Sequence, residues 1–234
     1  MSEQLITVGE ATEILGVTSD LPANKCLTKA EFDELTGRLQ PESAPNGVYI
    51  MHKDRFLVKK ERWAFPNEDA SGVAVKTDKC SVVIAKEEQT SIGWGGYGTL
   101  INGCTTTTNK NTAEIDYKGS QNTDAIIAKL GESKTYAARY CKEYTFPHGA
   151  QGYLPALGEL YEAYQNKSEV DACMSLIGGK PLYDDSINNY EKWSSTQYET
   201  YDAWDLRWDD GNIDYSNKFN SLNFYCARPF AAFQ

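Results

Sequence analysis

The hydrophobic pattern of the chain changes from short strand-like runs to helical periods, and back to short runs near the C-terminus. GVAVKTDKCSVVIA places two β-branched runs around a polar TDK and therefore predicts a β-hairpin. VYIMHKDRFLV predicts two further strands that turn at Lys53 and Asp54. Between these hairpins, FPNEDASG is a polar break with proline and glycine, so we predict a domain boundary near residues 67–71.

Helical signals occur before the first hairpin and through the middle of the chain. LTKAEFDEL opens with a capping-box pattern, a threonine followed three residues later by a glutamate. NTDAIIAKLG predicts a helix that begins at Asn122 or Thr123 and ends at Gly131. YLPALGELYEAYQNK predicts a longer helix with Pro155 in its first turn. TYAARYCKEY and SEVDACMSLIGG predict shorter helical segments.

The last forty or so residues return to short strands, in WSSTQY, AWDLRW, NIDY and YCARPFAAF. Trp204, Leu206 and Trp208 are two residues apart, so we expect them to share a buried strand face and the residues between them to face solvent. Helices in the middle and strands at both ends predict an α+β fold whose first and last strands meet. We predict a small N-terminal domain of helix and strands over residues 1–68 and a second α+β domain over residues 69–234.

The charge and apolar pattern exclude some classes of partner. The formal net charge is −10, which disfavours nucleic acid because phosphate backbones are bound by clustered Lys and Arg. No long uninterrupted apolar run is present, so we expect no membrane insertion. The N-terminus has no basic start before an apolar core, so we expect no secretion signal. The expected location is the cytoplasm, or a particle assembled there such as a virion.

The residues that bind metals or catalyse reactions do not form a recognisable motif. The six cysteines are far apart without a CxxC pair, so we expect buried free thiols and neither zinc nor disulfides. His52 and His148 lie outside any catalytic motif, and we expect both at the surface or in turns. Several aspartates cluster near the C-terminus without a DxDxDG loop, so calcium is not expected. We therefore predict no metal and no other cofactor.

Two further segments have an unusual composition. SIGWGGYG lacks the spacing of a phosphate loop, and its glycines predict close packing of Trp94 and Tyr97 on the backbone. The C-terminal segment is rich in Tyr, Asn, Ser and Asp, the composition of antibody recognition loops. This favours an exposed binding surface, and the alternative is a solvated face without a function.

At these residues the sequence resembles a known family. WSSTQY, AWDLRW, DGNIDYSNKFNS and ARPFAAF look like the variable region of proteins diversified by diversity-generating retroelements. Such proteins have a C-type-lectin-like fold and include phage tropism determinants at tail-fibre tips. GVAVKTDKCSVVIA, WGGYG and GYLPALGELYEAY are similar to the same group and to the formylglycine-generating-enzyme-like branch of that fold. The resemblance spans roughly residues 72–233. It implies a C-type-lectin-like ligand-binding domain over residues 69–234, a variable region over about 193–228, and an N-terminal attachment or spacer domain.

The resemblance also implies which positions vary. These retroelements mutate adenines in AAC or AAT codons, which never yields Trp, Met, Lys, Glu or Gln. The implied variable, ligand-binding positions carry none of these residues, and they are Tyr201, Asp202, Asp205, Arg207, Asp209, Asn212, Asp214, Tyr215, Ser216, Phe219, Asn220, Leu222, Asn223, Phe224, Tyr225 and Cys226. The implied fixed scaffold consists of Trp193, Trp204, Trp208, Lys218 and Arg228.

The resemblance implies a receptor-recognition protein that binds a cell-surface protein or glycan of a host or competitor. Homo-oligomerisation or attachment to a fibre would fit that role. Formylglycine-generating enzymes use two nearby cysteines late in the domain, whereas this tail has only Cys226, so we expect no enzymatic activity. The EPN and QPD tripeptides of calcium-dependent lectins are also absent. The alternatives are a formylglycine-generating-type enzyme or degenerate relative, and a structural virion protein.

Overall fold

The computed structural model describes residues 7–15, 21–131 and 135–233. Over these residues the chain has an α+β fold of helices and two sheets. The helices are α1 Val8–Leu15, α2 Lys29–Thr36, α3 Lys110–Ala113, α4 Gly119–Leu130, α5 Ala137–Glu143, α6 Leu157–Gln165 and α7 Lys167–Leu176. The strands are β1 Arg38–Leu39, β2 Gly47–His52, β3 Leu57–Val58, β4 Ala70–Lys76, β5 Ser81–Ile84, β6 Gln89–Thr90, β7 Glu191–Gln197, β8 Asp202–Arg207, β9 Ile213–Asn217, β10 Tyr225–Ala227 and β11 Phe230–Ala232. Short 3₁₀ helices span Lys60–Arg62 and Asn67–Asp69.

The first sheet has six strands in the order β1-β3-β2-β4-β5-β11. Both predicted hairpins are present, since β2 pairs with β3 and β4 pairs with β5. The last strand of the chain returns to this sheet, where Phe230 lies opposite Ile84 of β5. The last strand therefore joins the same sheet as the first strands, but the prediction that the first and last strands meet was wrong, because β11 pairs with β5 and lies at the opposite edge from β1.

The predicted domain boundary at residue 68 falls inside this sheet. Strands β2 and β4 lie on either side of the boundary and pair along their whole lengths. Val48 and Ile50 of β2 share one buried cluster with Val73 and Val75 of β4. The two segments therefore do not divide into separate cores at that point, because β2 buries its apolar side chains together with those of β4.

The second sheet has five strands in the order β6-β10-β7-β8-β9. Residues of α6 and α7 join the apolar side chains of β4 and β5 with those of β8 in one buried cluster. Trp204, Leu206 and Trp208 all belong to this cluster, which confirms the predicted buried face of the strand. The buried face of β8 thus packs on a core to which both sheets contribute side chains.

The helix boundaries agree in part with the prediction. Helix α2 has the predicted capping box, in which Thr28 and Glu31 each bond the other's backbone N–H. Helix α4 begins at Gly119 and not at Asn122, because the Asn122 and Thr123 side chains bond neighbouring loops instead of a helix end. Both side chains are buried.

Helix α6 begins at Leu157, so the prediction that Pro155 lies in its first turn was two residues too early. Pro155 precedes the helix, and Ala156 is the residue before its first turn. The Glu159 carboxylate accepts the Ala156 N–H at 2.8 Å and the Tyr153 hydroxyl at 3.1 Å. Burial raises the pKa of Glu159 to about 7, against the opposing effect of these hydrogen bonds.

A buried charged network connects the segments around the two sheets. The Glu88 carboxylate accepts hydrogen bonds from Lys192 of β7 at 2.7 Å and from Arg228 at 3.0 Å. Asn189 donates to its other oxygen at 2.8 Å. Burial alone would raise the pKa of Glu88, but Arg228 and Lys192 lower it below its usual value. Arg228, a predicted scaffold residue, therefore holds the chain between β10 and β11.

The cysteines are free thiols, and four of the six are buried, whereas Cys80 is half-buried and Cys26 is exposed. His148 lies in a turn, as predicted, whereas His52 ends strand β2, and neither side chain is at the surface. His52 stacks on Phe56, and His148 packs beside Ser71 with a 3.0 Å ring-to-hydroxyl contact. Burial lowers the pKa of both rings, that of His148 to about 4. No helix among the described residues is long and apolar enough to cross a membrane.

Candidate ligand-binding surface

The five predicted scaffold residues are all buried, each with 3% or less of its surface exposed. The indole N–H groups of the tryptophans donate to groups on other elements. Trp193 donates to Ile92 O at 2.8 Å, and Trp204 donates to Thr107 O at 2.8 Å. Each ring therefore fills the core and also fixes a neighbouring loop.

Lys218 immediately follows β9 and points into the protein. Its ammonium lies 4.8 Å from the centre of the Trp94 ring, and burial lowers the pKa of Lys218 to about 8. Four oxygens surround the ammonium, and they are Gln197 Oε1 at 2.7 Å, Glu199 O at 2.8 Å, Thr200 O at 3.0 Å and Thr99 O at 3.1 Å. We call residues 91–99, SIGWGGYGT, the glycine-rich segment. The Lys218 side chain thus joins the loop after β7, the glycine-rich segment and the loop after β9.

The predicted variable positions lie around this scaffold. Of the sixteen, thirteen are exposed or half-buried, and three are buried. The exposed or half-buried positions are Tyr201, Asp202, Arg207, Asp209, Asn212, Asp214, Tyr215, Ser216, Phe219, Asn220, Leu222, Asn223 and Phe224. We name this set the C-terminal surface.

Three exposed rings lie together, two of them on the C-terminal surface and the third, Tyr97, beside it. Tyr97 lies 5.3 Å from Tyr201 and 6.3 Å from Phe219, measured between ring centres. The exposed fractions are 54% for Tyr97, 48% for Tyr201 and 77% for Phe219. Large apolar groups at this exposure gain free energy when a ligand covers them. We call these three residues the aromatic triad.

A cleft of about 620 Å³ opens beside the triad. Its walls come from the glycine-rich segment, the end of α4, the start of α5 and the loop after β9, and they include Gly93, Gly95, Gly96, Tyr97, Leu130, Thr135, Tyr136, Lys218, Phe219 and Ser221. Gly95 and Gly96 have positive φ angles, and a Cβ on either would lie 2.9 Å from Tyr136 or Leu130. The predicted close packing is confirmed at these glycines and at the buried Trp94 ring.

Tyr97 differs from that prediction. Its ring was expected to lie flat against the backbone, but it is exposed and contacts the rings of Tyr201 and Phe219. The sequence therefore did not identify Tyr97 as a surface residue. Its place between two glycines at a turn is the signal that could have identified it, because small neighbours leave a large ring uncovered.

Stacked rings also order the rest of the C-terminal surface. Tyr215 stacks on Tyr198 at 3.8 Å, and Phe224 stacks on Tyr190 at 5.2 Å. The Arg207 guanidinium lies 4.8 Å from the Tyr190 ring centre. Side chains held in this way lose little conformational entropy when a ligand binds.

Three predicted variable positions do not lie on the surface. Asp205 and Cys226 are fully buried, and Tyr225 is 6% exposed. Strand alternation alone predicted an exposed Asp205, but Tyr225, which shares that face of the sheet, reaches across to Ser216 of β9 and to Asn220 of the loop 218–224. Tyr225 stacks on Trp193 at 4.8 Å beneath the same loop. The implied ligand-binding positions at Asp205, Tyr225 and Cys226 are therefore not exposed, whereas the burial of Cys226 agrees with the expectation of buried free thiols.

Two of the acidic residues at this end of the chain, Asp209 and Asp210, pair with protein groups. Arg207 donates to both oxygens of Asp209, at 3.1 and 2.6 Å, and Asp210 accepts the Asn212 N–H at 2.9 Å. Among the described residues, no group of three or more His, Cys, Asp or Glu side chains is arranged to hold a metal ion.

Comparisons with known proteins identify a likeness of fold. No family model matches the chain, and no curated protein shows significant similarity to it. Among solved structures, a fimbrial protein from Bacteroides ovatus is similar, with a TM-score of 0.61 and 14% sequence identity. The match covers 81% of this chain and 49% of that one, so the chain spans about half the length of the fimbrial protein. At this identity the likeness concerns the fold.

Proposed function

We propose that this chain is a surface-displayed ligand-binding protein with a C-type-lectin-like domain, and that the C-terminal surface together with Tyr97 recognises the ligand. The observation that carries the proposal is the division of one segment into two sets of residues. The scaffold residues of the segment are buried, whereas thirteen of the predicted variable positions are exposed or half-buried. Such a division lets a surface change its chemistry without losing the fold, as retroelement diversification requires.

Two further observations support this proposal. The similar fold of a fimbrial protein is compatible with display on a cell or particle surface. The rigid rings of the triad, beside polar Asn, Ser and Asp side chains, match the division of roles in antibody recognition loops. The ligand would be a protein or glycan on the surface of a host or competitor cell.

We also propose that the chain acts by binding and not by catalysis. The formylglycine-generating alternative needs a reactive thiol in this part of the fold. Burial raises the pKa of Cys226 to about 12, so its thiol stays protonated at neutral pH.

Capture of target cells tests the proposal. The purified chain, immobilised on beads, is presented to a panel of intact bacterial strains and to a glycan array. A triple variant, Tyr201→Ser, Phe219→Ser and Leu222→Ser, is compared with wild type. We expect the variant to lose most of the binding that wild type shows, because hot-spot residues carry most of an interface's energy.

A matched control separates this effect from general loss of apolar surface. Ile115 and Leu176 are 68% and 44% exposed and lie outside the C-terminal surface. Changing both to Ser should leave capture unchanged. Equal loss in both variants, or capture by neither wild type nor variant across the whole panel, would contradict the proposal.

The coding DNA tests the retroelement separately. Codons descended from AAC or AAT end in C or T, which is informative at Arg207, Ser216 and Leu222 because other codons exist for these residues. We expect C or T at the third position of all three, with a near-copy repeat and a reverse transcriptase gene nearby. Third-position A or G at these codons would exclude diversification of this kind.

A further inference from the structure

Asp205 is a buried acid beneath the C-terminal surface. It lies in β8, opposite Trp193 of β7 and Asp214 of β9, and it is fully buried. Within the part of the chain that the structure describes, neither of its carboxylate oxygens has a hydrogen-bond partner of normal geometry, and the same holds for Glu191 Oε2. Unpaired buried carboxylate oxygens are costly, so the site needs a compensating charge or a proton.

Glu191 is the candidate to share such a proton, because its Oε2 is also buried without a partner, whereas Asp214 is exposed. Glu191 precedes Trp193 by two residues, so the strand register places Glu191 and Asp205 at diagonal positions on one face of the sheet. Diagonal neighbours lie roughly 7–8 Å apart at Cα, a distance that two acidic side chains can bridge. Burial, followed by the neighbouring carboxyl of Glu191, raises the pKa of Asp205 well above its ordinary value, and burial also raises the pKa of Glu191.

The surrounding charges leave the pair without a dedicated cation. From β8, Arg207 favours the ionised form of Glu191, but its guanidinium already donates two hydrogen bonds to Asp209. Asp209, and Asp214 from β9, add negative charge. The Ser216 hydroxyl favours ionised Asp205 but does not outweigh burial. A proton held between the two carboxyls satisfies both of them.

The carboxyls of Asp205 and Glu191 lie next to Tyr225, whose hydrogen bonds hold the loop 218–224. Tyr225 in β10 is the register partner of Glu191 and stacks on Trp193. Its hydroxyl donates to Ser216 Oγ at 2.9 Å and accepts from the Asn220 amide at 3.0 Å. Repulsion between two ionised carboxylates would therefore act on the base of this loop.

We propose that one proton shared by Asp205 and Glu191 holds the loop 218–224 closed, so that pH controls the shape of the C-terminal surface. The consequence for binding depends on the function proposed above, whereas the movement of the loop does not.

The direction of the pH effect follows from the two states of the loop. With the loop closed the pair keeps its proton to a higher pH than in water, where Asp and Glu lose it near about 3.9 and 4.3. Opening the loop to solvent therefore releases the proton above that range. Rising pH favours the open loop, by up to about tenfold in the equilibrium per pH unit until the closed pair has also lost its proton.

Hydrogen exchange on the full chain tests this proposal without any ligand. Amide protection of residues 219–225 is measured at about pH 5.5 and pH 8.5, corrected for the intrinsic pH dependence of exchange. We expect wild-type protection to fall several-fold or more over this range, within the limit of about tenfold per pH unit. The Asp205→Asn variant should keep the same protection at both pH values, because its amide can donate to Glu191 without a titrating proton.

A second variant and a control complete the test. Glu191→Gln places the amide on the other partner and should also remove the pH dependence, which covers the case in which Asp205→Asn does not fold. Glu199→Gln removes an exposed carboxylate near the same loops and should behave as wild type. A pH-independent wild type, or full pH dependence in a folded Asp205→Asn or Glu191→Gln variant, would overturn the proposal. Neither outcome affects the capture assay, so failure of the proposed control of the loop by pH and failure of the proposed binding function remain distinguishable.

Discussion

The Lys218 ammonium donates to the Gln197 side-chain oxygen across 2.7 Å, and both residues are completely enclosed by the protein. Gln197 in turn accepts the Ile101 N–H and donates to the Thr106 hydroxyl. These hydrogen bonds join the end of β7 to the residues that follow the glycine-rich segment and to the loop after β9. The aromatic triad comes from these same loops, so its geometry depends on a buried polar contact.

The first prediction concerns Lys218. Lys218→Met removes the ammonium and leaves several buried oxygens without their donor. We expect the unfolding free energy to fall by about 2–4 kcal/mol and capture of target cells to be lost. Chemical denaturation measures the first effect. Lys129→Met, at an exposed lysine on α4, should change stability by less than about 0.5 kcal/mol, and an equal effect of both substitutions would contradict the role of Lys218.

The second prediction compares two adjacent glutamates. Glu88→Gln weakens a buried network and leaves Lys192 and Arg228 without their counter-charge, so we expect a loss of about 3–5 kcal/mol. Glu87 makes an exposed ion pair with Lys180, and Glu87→Gln should cost less than about 1 kcal/mol. Urea unfolding of both variants checks the difference, and similar losses would show that burial does not set the strength of the network.

The third prediction separates surface from scaffold among the predicted variable positions. Phe219→Ala changes an exposed ring and should alter the unfolding free energy by less than about 0.5 kcal/mol. Tyr225→Ala removes a buried ring that stacks on Trp193, and we expect a loss of about 3–5 kcal/mol. Thermal and chemical unfolding measure both values. A stable Tyr225→Ala variant would mean that this position can vary as freely as the exposed ones.

The fourth prediction concerns pH and Glu159. Its folded pKa of about 7 lies above the ordinary glutamate value of about 4.3. Between these values the folded state binds more protons than the unfolded state, so the contribution of Glu159 is full below about pH 4.3 and is lost as pH rises through about 7. The unfolding free energy of wild type minus that of Glu159→Gln should therefore decrease as pH rises from about 4.3 to about 7. A difference that grows with pH would contradict the assigned direction.

The sequence predicted those features that depend on local chemistry. The hairpins, the capping box at Thr28 and the glycine end of α4 at Gly131 follow from residue preferences at defined positions. The buried face of Trp204, Leu206 and Trp208 follows from strand alternation next to a core. These signals act within a few residues, so the sequence alone reveals them.

The features that the sequence did not predict correctly depend on distant parts of the chain. Asp205 obeys strand alternation, but it is buried on a face of the sheet across which Tyr225, a later residue, reaches. The boundary near residue 68 looked polar, although β2 and β4 pair across it. Helix α1 was not predicted, since its eight residues are placed by packing of Val8 and Ala11 against Leu27. In each case a tertiary contact overrides the local pattern.

The central claim is that the C-terminal surface and Tyr97 form the binding site, and a hydrogen-exchange footprint tests it most directly. A target captured in the bead assay is purified and added to the chain, and exchange is compared with and without it. We predict slower exchange in residues 97–100, 199–202 and 213–224, with little change elsewhere. Protection centred on the β2–β3 hairpin, with none in these three segments, would contradict the claim.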